Sequence, residues 1–177
     1  NSAFSGCTSL TSISLSDSLT TINTWAFSDC TSLTSIDLPD GVTTIWDSAF
    51  RNCSGLTSVD IPSSVTTIGD SAFIDCTNLS TIIFRGDAPQ LGQSVFSNVT
   101  ANAYYPLGNT TWTNTVTQAY GGKIHWGAHD PSHDPDFKAV VTAPTCTEQG
   151  FTTYTCPTCG ASYTDDYVDP LGHDFAD

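Results

Sequence analysis

The sequence predicts a repeat solenoid followed by a small β-rich module, and three observations support this prediction. Phenylalanine recurs with a period of 23 residues, from Phe4 to Phe96. Six further apolar columns keep the same period, and they begin at Cys7, Leu10, Ile13, Leu15, Leu19 and Ile22. The period ends at Phe96, and after residue 136 short β-like runs alternate with proline, glycine and cysteine. A fixed period of roughly twenty to fifty residues is typical of solenoids, in which each unit buries its apolar face only against its neighbours.

Each unit contains one run in which apolar and polar positions alternate, at residues 10–15, 33–38, 56–61 and 79–84. Such alternation predicts a strand with one buried and one exposed face. A second short extended run follows at residues 20–22, 43–45 and 66–68. The outward positions of the first run carry small polar side chains, among them Ser35, Asp37, Ser58 and Asp60.

The repeat unit resembles the leucine-rich repeats of the BspA-like family. The residues that carry the resemblance are Ala26-Phe27, Cys30, Leu33, Ile36, Leu38-Pro39, Val42 and Ile45. The resemblance covers residues 1–96 and implies a right-handed leucine-rich-repeat coil of short parallel strands. It also implies a role in adhesion or recognition at a bacterial surface, but no particular ligand, because such repeats carry many different ones.

Two segments are expected to follow the repeats. Residues 97–128 resemble the C-terminal cap of BspA-like arrays, and we expect a strand over 101–105, a short helix around Trp112 and a strand over 123–127. Residues 129–136 are expected to form a linker, because two prolines exclude a helix and no apolar side chain is present to be buried. A metal held there by His129 and His133 is the alternative.

Composition excludes several classes of partner. The chain has 18 acidic and 4 basic residues, for a net charge of −14, which argues against binding to nucleic acid or to anionic membranes. No stretch approaches the ~18 apolar residues of a membrane span. The chain begins in the middle of a repeat, so we expect it to be part of a longer protein. A lysine-poor, threonine-rich acidic surface suits an extracellular or cell-surface bacterial protein.

The seven cysteines fall into two groups. Cys7, Cys30, Cys53 and Cys76 occupy one repeat column, which predicts a buried ladder of reduced thiols that act as small apolar fillers and weak donors to turn carbonyls. A disulfide or metal role is the alternative for this column.

The second group lies in the C-terminal module, residues 137–177. Cys156 and Cys159 form a Cys-x-x-Cys turn of zinc-knuckle type, and Cys146 and His173 are the expected further ligands of a structural zinc. His133 is the rival of His173. A disulfide, unpaired thiols and a redox pair remain alternatives. The module also loosely resembles Cys/His modules of large surface proteins from gut-type bacteria.

Two tryptophans interrupt columns of small residues. Trp25 aligns with serines and Trp46 with glycines or asparagine, which predicts partial exposure and makes both candidates for ligand contact. The alternative is that the two side chains cover each other or cover an upstream repeat. Gly69-Asp70-Ser71 has the look of a hydrolase fragment, but Ser71 fills a repeat column and no catalytic motif accompanies it.

These observations predict a non-catalytic recognition or adhesion module that presents its repeats to a protein or glycan ligand, with host-derived ligands among the candidates. The candidate contact residues are Ser35, Asp37, Ser58, Asp60, Trp25 and Trp46. An architectural stalk and the targeting region of a larger extracellular enzyme are the alternatives. The first repeat exposes an uncovered edge, so end-to-end self-association is also expected.

Overall fold

The computed structural model describes residues 2–130 and 136–172. Within these ranges there are eleven strands and no helix, and hence no helix of the length and apolarity that a membrane crossing requires. The strands are β1 (Thr21–Ile22), β2 (Thr44–Ile45), β3 (Ser58–Ile61), β4 (Thr67–Ile68), β5 (Thr81–Phe84), β6 (Gln90–Leu91), β7 (Thr100–Pro106), β8 (Lys123–His129), β9 (Lys138–Thr142), β10 (Gly150–Thr155) and β11 (Ser162–Val168).

Strands β1 to β8 form a coil with two parallel sheets, of strand order β1-β2-β4-β6 and β3-β5-β7-β8. In the first sheet, Thr44 pairs with Thr21 on one side and with Thr67 on the other. Neighbouring strands of this sheet therefore lie one 23-residue period apart, so that successive coils stack on one another. This arrangement confirms the predicted solenoid.

The phenylalanine column forms a stacked ladder through the core. From Phe4 to Phe96, the centroids of successive rings lie 5.3, 5.3, 5.2 and 6.0 Å apart. This spacing follows the ~4.8 Å distance between paired strands. The four later rings are buried, whereas Phe4 is 36% exposed because no described coil covers its other side.

The cysteine column forms the ladder of free thiols that the sequence predicts. Three of its members are fully buried, and each donates to the carbonyl of a phenylalanine in the preceding coil over 3.0–3.1 Å: Cys30 to Phe4, Cys53 to Phe27 and Cys76 to Phe50. Burial raises the pKa of Cys30 to about 11. A hydrogen bond with the Cys76 thiol, together with burial, raises the pKa of Cys53. Cys30 and Cys53 are therefore protonated, and all three buried thiols fill the core.

Not every expected strand forms. Residues 10–15 and 33–38 keep the expected alternation of more and less buried side chains, but their backbone pairing is limited, among the described residues, to isolated bonds. The N–H of Thr34 donates to the C=O of Thr11, and the C=O of Thr34 accepts from the N–H of Thr57. Regular pairing in the second sheet begins at β3, and strand length there rises from four residues in β3 to seven in β7.

The helix expected around Trp112 is wrong, because the segment forms a series of turns. It contains a single helix-like bond, from the N–H of Thr117 to the C=O of Thr113. Upstream, the N–H and the hydroxyl of Thr111 both donate to Oδ1 of Asn109, at 2.9 and 2.7 Å. Side chains that bond nearby backbone in this way compete with helix formation.

Trp112 instead closes the last layer of the core. Its ring centroid lies 4.7 Å from that of Phe84 and 5.6 Å from that of Trp126, and it stacks on Tyr105 at 5.1 Å. The indole Nε1 donates to the carbonyl of Gly86 over 3.0 Å. The final layer is thus covered by packed aromatic side chains.

Strands β7 and β8 continue the second sheet of the coil, in parallel register from Thr100↔Lys123 to Pro106↔His129. The expected linker at residues 129–136 therefore does not begin at residue 129. His129 is the last residue of β8 and is only 3% exposed, so the expectation that this residue buries nothing is wrong. Asp130 is the last described residue before the gap at 131–135.

The C-terminal module is a three-stranded antiparallel sheet of order β11-β10-β9, which agrees with the short β-like runs predicted at residues 137–142, 151–156 and 162–168. The module packs on the end of the coil through aromatic side chains. Phe137 stacks on Tyr104 of β7 at 5.0 Å, and its ring lies edge-on to Tyr163 of β11 at 5.3 Å. A Cβ atom at Gly127 of β8 would lie 2.9 Å from the Tyr163 ring, so the close approach of the two units requires glycine there.

Candidate functional site

The outward side chains of residues 33–38 and of β3 form an exposed polar surface. Ser35, Asp37, Ser58 and Asp60, which we call the strand face, are all exposed. Arg85 binds Asp60 through its Nε, 2.9 Å from both carboxylate oxygens, and through its NH2 group at 2.5 Å. This pair offsets the charge of Asp60, so Asp37 contributes most to the negative charge of the strand face.

A cleft of about 460 Å³ opens beside the strand face, between Asp37, Asp40, Asp60 and Arg85. The cleft brings together three carboxylates and one of the four basic residues of the chain. Because all of these groups reach solvent, their ion pairs contribute little to stability. They remain accessible to a ligand with complementary polar groups.

Trp25 and Trp46 are 48% and 45% exposed, as the sequence predicts. They emerge from adjacent coils, because the N–H of Trp25 donates to the C=O of Asp47, the residue after Trp46. The described residues show no ring contact between the two indoles. Trp25 has a φ of 60°, a left-handed conformation that is unusual for a bulky residue. We call this pair the tryptophan corner.

The six predicted contact residues fall on two surfaces. The tryptophan corner follows β1 and β2 of the first sheet, whereas the strand face lies along the second sheet. Inward side chains of both sheets share one core, so their outward faces are separate. The structure therefore brings Ser35, Asp37, Ser58 and Asp60 together and places the tryptophans elsewhere.

Gly69-Asp70-Ser71 is accounted for by the stacking of coils. The N–H of Asp70 donates to Oδ1 of Asp47 over 3.0 Å, and Oδ1 of Asp70 accepts from the N–H of Gln93 over 2.7 Å. A Cβ atom at residue 69 would lie 2.6 Å from the backbone nitrogen of Asp47, so only glycine fits. These residues bond the backbones of successive coils, which agrees with the sequence-based argument against a hydrolase site.

The described residues contain one cluster of metal-ligating side chains, formed by His129, Cys156 and Cys159. Their ligand atoms all lie within 4.8 Å of one another and could hold a metal ion. Sγ of Cys156 lies 3.9 Å from Nε2 of His129. Cys156 and His129 are buried, and Cys159 is half-buried.

The turn between β10 and β11 positions the two cysteines. The N–H of Gly160 donates to the carbonyl of Cys156 over 2.9 Å, and Gly160 has a φ of +74°, which glycine adopts without strain. Burial raises the pKa of the Cys159 thiol, but hydrogen bonds from the backbone of Ala161 and Asp130 and from Cys156 lower this pKa by more. The net pKa of Cys159 is below its ordinary value, which favours the thiolate that a metal binds.

Cys146 does not belong to this cluster. It lies in the loop between β9 and β10, whereas Cys156 follows the far end of β10, a six-residue strand. At about 3.3 Å per residue, the strand separates the two thiols too widely for one ion. The carbonyl of Cys146 instead accepts from the N–H of Gly172. The other expected ligands, His173 and its rival His133, lie outside the described residues.

The sequence analysis considered His129 as a metal ligand only in combination with His133, and it missed the place of His129 beside Cys156 and Cys159. Residues alternate along β8, so His125, Gly127 and His129 share its outer face, which is the face that Tyr163 of the module covers. The spacing of these three residues could have revealed this face if the strand had been extended to residue 129.

The coil consists of two parallel sheets whose core holds ladders of phenylalanine and cysteine side chains, and an accessory module packs on its end. These features define a leucine-rich-repeat solenoid. The chain belongs to the BspA-type leucine-rich repeat family, because the model of the BspA type leucine rich repeat region matches residues 1–114 in six copies. The match extends beyond residue 96 into β7, in agreement with the continued coil. No curated protein matches the chain significantly.

Three solved structures are similar to the chain. The leucine-rich repeat protein of T. pallidum is 32% identical, with a TM-score of 0.55 over 60% of this chain and 51% of its own. A leucine-rich cell surface protein of Faecalibacterium prausnitzii A2-165 is 25% identical, with a TM-score of 0.47 over 59% of this chain and 38% of its own. A leucine-rich repeat protein of Bacteroides ovatus is 22% identical, with a TM-score of 0.41 over 70% of this chain and 47% of its own. This chain thus spans about half or less of each relative.

Proposed function

We propose that the chain is a non-catalytic recognition module of an extracellular or cell-surface bacterial protein, and that it binds a protein or glycan through its coil. The observation that carries this proposal is the strand face, where a stacked coil exposes small polar and acidic side chains to solvent. Repeat scaffolds of this kind hold their outward side chains in fixed positions, which suits them to binding over an extended surface. Membership in the BspA-type family and the acidic, lysine-poor composition support the surface location.

A binding screen followed by substitution tests the strand face. The 177-residue chain is applied to arrays of host extracellular proteins and glycans, and a variant with Lys at positions 35, 37, 58 and 60 is compared on every hit. We expect the variant to lose binding, because four cations replace a neutral to acidic surface. Asn114→Lys, on an exposed turn away from the strand face, is the matched control and should bind as the wild type does. If the fourfold variant binds as the wild type does, the ligand does not bind at the strand face.

The tryptophan corner requires a separate variant, because it lies on another surface. Trp25→Ser introduces the residue found at the equivalent positions 48, 71 and 94, and Trp46→Gly introduces that found at 69 and 92. If the exposed indoles anchor the ligand, this double variant loses binding while its fold is kept. If binding is retained, the two tryptophans do not contact the ligand, and their role is to cover neighbouring coils.

We propose in addition that a structural zinc holds the C-terminal module together. Every residue of β9 is exposed, and the sheet has too few buried side chains to be stable on apolar packing alone. Cys156 and Cys159, on one tight turn, supply two thiolate ligands of the kind that zinc prefers. Metal content measured by X-ray fluorescence, combined with a count of free thiols, tests the proposal. One zinc per chain supports it, and a Cys156–Cys159 disulfide without zinc contradicts it.

A further inference from the structure

We propose that His129 joins Cys156 and Cys159 in one zinc site, so that the metal clasps the C-terminal module to the last strand of the coil. This inference rests on the proposed structural zinc and adds to it a ligand from a different unit. His129 ends β8 of the coil, whereas the two cysteines lie between β10 and β11 of the module. A metal held by all three residues joins segments that are 27 residues apart in sequence, His129 and Cys156.

The distances suit a single zinc ion. Around a tetrahedral zinc, with Zn–S of about 2.3 Å and Zn–N of about 2.0–2.1 Å, ligand atoms lie roughly 3.5–3.8 Å apart. The measured Sγ–Nε2 distance between Cys156 and His129 is 3.9 Å, and all three ligand atoms lie within 4.8 Å of one another. Metal binding therefore requires each atom to move by less than about 1 Å.

The surroundings hold His129 in place for this role. Its ring packs beside two aromatic rings, that of Tyr104 of the coil, with centroids 6.0 Å apart, and that of Phe137 of the module, with centroids 5.6 Å apart. Phe137 itself stacks on Tyr104 with an interplanar angle of 5°. An imidazole that is buried and packed against a stacked pair of aromatic rings loses little conformational entropy when it binds a metal.

The same aromatic contacts couple the metal to the docking of the module. Tyr163 of β11 packs over Gly127, two residues before His129 on the same face of β8. If the module moves away from the coil, Cys156 and Cys159 move away from His129. Zinc bound to all three residues therefore favours the docked arrangement, by linkage between binding and the state that binds better.

Zinc affinity and hydrogen exchange, both measured on the 177-residue chain, test the clasp. Affinity is measured by competition with a chromophoric chelator for the wild type and for His129→Gln. We expect His129→Gln to weaken zinc binding by about tenfold or more, since even removal of an outer partner of a metal ligand costs about 10- to 100-fold. In the wild type, zinc should slow amide exchange in residues 123–129 as well as in residues 156–161. In His129→Gln, zinc should slow exchange in 156–161 only.

Two matched variants control for effects of replacing a histidine or a cysteine outside the proposed zinc site. His125→Gln alters the other histidine on the same face of β8, and Cys146→Ser removes the module thiol at the opposite end of β10. Both should bind zinc as the wild type does. The exchange comparison of wild type with and without zinc stands even if His129→Gln folds poorly.

The outcomes separate the clasp from the zinc proposal on which it rests. If the wild type binds one zinc but His129→Gln binds it equally well, or if zinc leaves the exchange of residues 123–129 unchanged, the metal is held within the module and the clasp is wrong. If the wild type binds no zinc, the proposed structural zinc is wrong, and the clasp that depends on it is wrong as well. Neither result bears on ligand binding by the strand face.

Discussion

Single residues in the cysteine column differ in reactivity because their positions in the coil differ. Cys7 is exposed, whereas Cys53 is fully buried and donates to a carbonyl of the preceding coil. The pKa of Cys53 is raised by its hydrogen bond with Cys76 and by burial, and the thiolate is the reactive form. We predict that iodoacetamide modifies Cys7 rapidly in the native protein and modifies Cys30, Cys53 and Cys76 only after unfolding.

Mass-spectrometric mapping of the modified peptides, in buffer and in urea, measures this difference. Cys146 is exposed and serves as an internal reference that should react in both conditions. Native labelling of Cys53 at the rate of Cys7 would contradict the buried ladder.

At the scale of elements, the last layer of the coil depends on Trp112. This side chain is 7% exposed and packs against Phe84 and Trp126. We predict that Trp112→Ala lowers the free energy of unfolding by about 3–5 kcal/mol, because it leaves a large cavity. Trp112→Phe, which keeps a ring but loses the bond to the carbonyl of Gly86, should cost less.

Urea unfolding, followed by circular dichroism, measures both changes. Trp46→Ala is the matched control, since that indole is 45% exposed, and it should change stability by no more than about 0.5 kcal/mol. Similar losses for Trp112→Ala and Trp46→Ala would show that the final layer does not close the core.

The same elements indicate how far sequence reasoning reaches. The coil could be predicted because each apolar column repeats one packing requirement every 23 residues, such as the phenylalanine whose ring stacks on that of the next coil. The end of β8 could not be predicted in this way. Pairing with β7 as far as Pro106 extends β8 to His129, and this pairing joins residues that are distant in sequence. For the same reason, Cys146 was grouped with Cys156 and Cys159, although the sheet places it at the other end of β10.

Among the described residues, the first coil has no neighbour on one side, whereas the last strand of the coil is covered by the module. At the first coil, an apolar cleft of about 250 Å³ lies among side chains that include Phe4, Ile13, Leu15, Leu19 and Ile22. At the other end, the module covers β8 through the contact of Tyr163 with Gly127 and the stacking of Phe137 on Tyr104. An exposed edge of this kind favours association with another chain.

The sequence-based expectation of end-to-end association therefore becomes more specific. We predict that the 177-residue chain forms a two-fold dimer through its first coil and no longer assembly, because head-to-tail growth would require the end that the module covers. Sedimentation velocity over a wide concentration range should show monomer and dimer only. Leu15→Lys, which places a charge in the apolar cleft, should remain monomeric, whereas Leu107→Lys, at an exposed site elsewhere, should dimerise as the wild type does. A monomer at every concentration would show that the first coil is not adhesive, and species beyond the dimer would show that the module leaves the far end open.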